Sequence, residues 1–226
     1  MWDLTPCEIR GDRLASRGCD DVVGCIALLG ALNALVAKRV RTDVCFVFTR
    51  AEEVGFHGAL ALAKGGGLPR SVRVVSVETS KQIPPRACMG GGPVVRVGDR
   101  AAVFDSELTR FLSVVAVEFA KEEKSFRHQR CLMDGGICEA TAFGESGYQA
   151  SGLCIALGNY HNIGPRQCIA AEYVSLSDLH NLVRLITAAA TWTPRYAELT
   201  DRLRHRLDDL HEAALRRLSP SFNLLS

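Results

Sequence analysis

The feature that most constrains this chain is the placement of acidic residues at the ends of short apolar runs. Residues 44–48 (VCFVF) are too few for a helix, are rich in Val and Phe, and lead into Glu52-Glu53. Residues 72–77 run directly into Glu78, and residues 152–157 lead to His161. Between these runs lie helical patterns. Residues 20–40 are dense in Ala, Leu and Val, 58–64 form a shorter helix, 106–123 are amphipathic, and 177–191 carry Asp178 in their first turn. Residues 94–97 add a strand after the loop Gly90-Gly91-Gly92-Pro93. Strands alternating with helices predict an α/β fold with a mostly parallel sheet flanked by helices.

Charge and cysteine usage narrow the function classes. The 226 residues hold 27 Lys+Arg against 25 Asp+Glu, so there is no basic excess of the kind that marks a nucleic-acid footprint. No apolar run approaches bilayer length, and the first residues lack a charged-then-apolar signal pattern, so no membrane partner is expected. Nine cysteines, an odd number with no C-x-x-C pair, read as free thiols in a reducing, cytoplasmic compartment. Cys25 and Cys45 lie inside apolar runs, where a thiol serves as a small hydrophobe.

On a parallel sheet, groups at strand ends converge, and Asp20-Asp21, Glu52-Glu53, Glu78 and His161 all fall at element ends. Carboxylate oxygen mixed with imidazole nitrogen suits zinc. Each residue taken singly also has a plain structural reading. Asp20 or Asp21 caps a helix, Glu52-Glu53 is a solvated turn, and His161 is a loop histidine. Glu78 is harder to place that way, because a carboxylate ending an apolar strand needs a partner.

The ordered set Asp20-Asp21-Val22-Val23-Gly24, then FVFTRAEEVGFHGA (residues 46–59), then Val77-Glu78, then Tyr160-His161 resembles the di-zinc aminopeptidases of the glutamyl/tetrahedral aminopeptidase family. The similarity runs from about Arg10 to Thr191 and takes in Gln129, Gly135-Gly136 and Glu139-Ala140. It implies a zinc-exopeptidase-like α/β/α sandwich that removes N-terminal residues from peptides. It also implies site roles. Asp20 would bridge two metals, Glu53 and His161 would complete one site, and Glu78 would bind the other. Glu52 would be the general base, and Asp21 would orient a ligand or the helix start. A deacylase or carboxypeptidase relative, or a catalytically impaired metal-binding or scaffold protein, are the alternative functions.

The chain departs from that family in four places. The family's further histidine ligand lies upstream of an inserted dimerisation domain, and this sequence starts beyond both, so residues 1–19 would correspond to that insert's last strand. Val22 replaces a basic or amide residue, Cys138-Glu139-Ala140 stands for Thr-Asp-Ala, and Asn159-Tyr160-His161 stands for Arg-Tyr-x-His. Of the other histidines, His57, close behind the Glu pair, is the one of interest. With that ligand absent, one tight zinc and a second, weaker divalent ion are expected, with cobalt or manganese as substitutes. A homo-oligomer is allowed, though not derivable from these residues.

Residues 194–226 form a separate segment after a catalytic domain of residues 1–193. Leu199, Leu203, Leu207, Leu210 and Leu218 make an apolar stripe on a charged helix. The stripe is short for a coiled coil, so the helix is expected to dock on its own domain.

Overall fold

The computed structural model describes residues 3–4 and 6–222, with side chains through 218. The chain opens with a hairpin, β1 (Glu8–Arg10) and β2 (Arg13–Ser16), turned at Gly11 with φ +58°. The residues 1, 2 and 5 of the expected N-terminal strand lie outside the described residues. Helices α1 (Val22–Ala37) and α2 (His57–Lys64) follow, then β3 (Arg73–Lys81), β4 (Val94–Gly98), α3 (Ser106–Glu122) and β5 (Gln129–Leu132). After α4 (Glu139–Glu145) and β6 (Gln149–Leu157) come two 3₁₀ turns, then β7 (Glu172–Ser175), α5 (Leu176–Trp192) and α6 (Tyr196–Phe222).

The main sheet has the order β3-β6-β4-β5, with β3/β6 and β4/β5 parallel and β4/β6 antiparallel. Side chains alternate across it. Val75, Val77, Leu153, Ile155 and Leu157 pack into one core with α1, α3 and α5. Val74 and Ala150 face the opposite core, built with Ala59 and Ala63 of α2 and with Ala140 and Phe143 of α4. The result is an α/β/α sandwich. Glu78 shares the even register of Val74, so its side chain points toward the layer that holds α2 and α4. A second sheet, β1-β2-β7, is antiparallel throughout. Asp12 ties that hairpin to α5, taking the Ser175 hydroxyl at 2.6 Å and the Ser177 N–H at 2.8 Å.

Three expectations are corrected. Residues 44–48 are not a strand. β3 is the edge of its sheet, no described strand pairs with the run, and Val44, Val47 and Phe48 are exposed. A β-prone run without a ladder partner stays irregular. Cys25 and Cys45 are exposed rather than buried. On α1 only one face (Val23, Ala27, Ala31, Leu35) enters the core, while Val22, Ile26, Leu29 and Val36 face outward.

The third correction concerns α6, which docks only by its first turn. Tyr196, Leu199 and Thr200 are buried, with the Tyr196 ring 5.0 Å from Phe111 and the Arg110 guanidinium donating to the Thr200 carbonyl. Beyond them Leu203, Leu207, Leu210 and Leu218 are exposed, although the Arg202 guanidinium still reaches Glu118 of α3 at 3.3 Å.

Candidate metal centre

Four segments distant in sequence meet at one cavity of about 380 Å³. Asp20 sits between β2 and α1, Glu52 and Glu53 on the turn before α2, Glu78 on β3, and His161 on the 3₁₀ turn Tyr160–Asn162. The turn at Glu52 is built by its carbonyl, which accepts the N–H groups of both Gly55 and Phe56 at 2.9 Å. His161 has φ +56°, a left-handed backbone uncommon for a residue with a side chain. Its ring stacks on Tyr160 at 3.8 Å.

Within this group the ligand atoms of Asp20, Glu53 and His161 all lie within 4.8 Å of one another. His161 Nε2 is 3.6 Å from Asp20 Oδ2, and the other Asp20 oxygen accepts the Thr79 hydroxyl at 2.8 Å. Glu78 lines the same cavity outside that trio, its carboxylate held by Ser76 Oγ at 2.9 Å. Glu52 also lines the cavity outside the trio. Asp21 turns away from the cavity. Its Oδ1 accepts the Gly24 N–H at 3.1 Å and so caps α1. His57 is exposed and belongs neither to the trio nor to the cavity wall.

The carboxylates crowd one another. Burial pushes Glu78 up to about 8, opposed by the Arg96 guanidinium and reinforced by Glu52 and Asp20. Burial also lifts Glu52 to about 7, with Glu53, Glu139 and Asp20 adding repulsion. Asp20, Asp21 and Glu53 are raised as well, each first by burial. Several anions pressed together out of water are costly unless a positive charge joins them. A divalent cation fits this donor set of two carboxylates and one imidazole at short range.

Two buried charged residues at or beside the cavity carry no motif. Arg96 is buried on β4, lines the cavity, and has an Nε without a hydrogen-bond partner. A charge inside the apolar run of residues 94–97 was its one sequence signal. Glu172 is buried at the start of β7, behind Asp20. Nothing local in the sequence distinguishes it from a surface glutamate.

Residues 1–185 match the family described as M42 glutamyl aminopeptidase. The chain belongs to that family. A protein of Acetivibrio thermocellus named as an aminopeptidase is 28% identical over 185 residues, covering 80% of this chain and 52% of the relative. The TET1 peptidase of Pyrococcus horikoshii, whose structure is described as a tetrahedron or a large octahedral shell, is 28% identical with a TM-score of 0.67, covering 81% of this chain and 52% of that one. A TET aminopeptidase from a marine-sediment Thaumarchaeota archaeon shares the fold at 22% identity and a TM-score of 0.69, over 86% of this chain and 54% of its own. The chain therefore spans about half the length of the M42 relatives it matches.

Proposed function

We propose that these residues form the metal-dependent catalytic part of an aminopeptidase that removes N-terminal residues from peptides. The observation that carries this reading is the convergence of Asp20, Glu53 and His161 within 4.8 Å. Asp20, Glu53 and His161 hold one zinc-like ion, and Asp20 with Glu78 offers a second, weaker site, where cobalt or manganese can substitute. A divalent cation supplies there the positive charge that makes a water acidic and polarises the scissile carbonyl. Glu52, adjacent to a ligand and facing the same cavity, takes the proton of the attacking water and returns it to the leaving amine. Asp21 holds the start of α1 and with it the backbone of Asp20.

The Pyrococcus horikoshii TET1 peptidase can assemble into a tetrahedron or a large octahedral shell, and self-assembly is carried to this chain as part of the proposal. A reducing, cytoplasmic setting is supported by nine cysteines that are all free. The test of the reading uses the glutamate pair. Glu52→Gln should retain the ion while turnover of an aminoacyl-p-nitroanilide falls by roughly a hundredfold or more. Glu53→Gln should lose the ion on dialysis. Identical behaviour of the two variants refutes the assignment of base and ligand.

A further inference from the structure

Glu172 is 3% exposed, and besides burial the groups that act most on its carboxylate are backbone amides and the neighbouring Asp20. Oε2 accepts the Asp20 N–H at 3.0 Å, and the backbone N–H groups of Cys19 and His161 face the carboxylate and favour its charge. The Asp20 and His161 amides belong to the residues that bring the acid and the imidazole of the proposed metal site to within 3.6 Å of each other. They lie 141 positions apart in the chain, and one carboxylate faces both.

The position of Glu172 follows from the two sheets. As the first residue of β7 it pairs in register with Ser16 of β2, the strand that leads to Asp20. Its neighbour Tyr173 exchanges two backbone hydrogen bonds, at 2.9 and 3.1 Å, with Gly158, the residue that follows β6 and begins the path to His161. The side chain is therefore anchored from both sides before it reaches the site. Its charge beside the His161 amide also bears on the left-handed backbone at that residue. Such a conformation persists only where its surroundings over-determine it.

We propose that Glu172 is a positioning residue, which sets the spacing of the Asp20 and His161 side chains for a metal ion by holding their backbone amides, without touching ion or substrate. This rests on the metal-site reading above. The arrangement extends the usual logic of outer partners, which orient a ligand through its side chain, to the ligand's main chain.

The test compares the full-length chain with Glu172→Gln, which keeps the size but turns a donor toward the amides, and with Glu172→Ala. Zinc affinity is read by competition with a chromophoric chelator, and the visible spectrum of the Co²⁺-loaded protein reports ligand geometry. A weakening of roughly ten- to a hundredfold is expected in both variants. An altered Co²⁺ band is expected too, and Glu172→Gln should be the milder of the two. Faster hydrogen exchange at the Asp20 and His161 amides of the chelated Glu172→Gln protein should accompany this. Should wild type bind and the folded Gln variant bind equally tightly with the same Co²⁺ spectrum, the positioning role is overturned and the metal site stands. If wild type itself binds no ion, the metal-site reading falls and this inference with it. A variant of lowered stability but unchanged affinity and spectrum shows a merely structural carboxylate, and that too overturns the proposal.

Discussion

Chelating the protein and raising the pH from 5 to 8 should destabilise it, with the buried carboxyls of Asp21 and Glu78 as the main causes. A carboxyl moved from 4.5 to about 8 on folding carries about 5 kcal/mol between its protonated and ionised forms. The sign follows from the direction of the shift. Because the folded value is raised, the cost is absent below about 4.5 and complete only above about 8. Glu52, raised to about 7 but half in solvent, adds a smaller cost of the same sign. Asp12, Asp99, Glu118 and Glu198 are held below their usual range, so their contributions are lost only at more acidic pH. His128, lowered by burial, acts in the opposite sense as pH rises toward 6.5. That term is common to wild type and variant. Urea unfolding of the chelated protein at pH 5, 6, 7 and 8 should therefore show stability falling with pH. Glu78→Gln should remove a measurable part of the fall, and Asp21, raised well above its usual range, keeps much of the rest. Zinc at a hundred times its dissociation constant should restore about 2.7 kcal/mol at pH 8. Equal pH slopes for wild type and Glu78→Gln would refute the argument that Glu78 is crowded and buried.

Leu199 is fully buried, so Leu199→Ala should cost about 2–5 kcal/mol in chemical denaturation. Truncation after Arg204 removes a stretch that is exposed through Leu218 save for the half-buried Ala213 and should change stability by less than about 0.5 kcal/mol. Elemental analysis after dialysis should find one tightly held ion per chain, with a second only at high metal concentration. None, or two of equal affinity, contradicts the ligand count. Gly92→Ala should lower the unfolding free energy by about 2 kcal/mol or more. Its φ is +85°, and a Cβ there would collide with the Arg127 carbonyl oxygen. A fluorescence melt checks it.

Local chemistry determined a great deal of this protein. The helices over residues 106–122 and 176–192 follow from their apolar periodicity, with Asp105 and Ser175 as side-chain caps. The apolar runs that became β3, β4 and β6 were legible as well, since a buried strand needs little but apolar residues. The candidate site was legible too, because Asp20, Glu52, Glu53, Glu78 and His161 stand in one recognisable order.

Tertiary structure decided the rest. Residues 44–48 have strand chemistry, but a strand also requires a neighbour to bond, and no described strand lies beyond β3. The stripe of α6 has docking chemistry, but of its leucines only Leu199 is buried, because an apolar face is covered only where another element packs on it. Glu172 and Arg96 became visible only through burial. A carboxylate whose partners are backbone amides 152 and 11 positions away leaves no periodicity, because the groups it binds are the same in every residue.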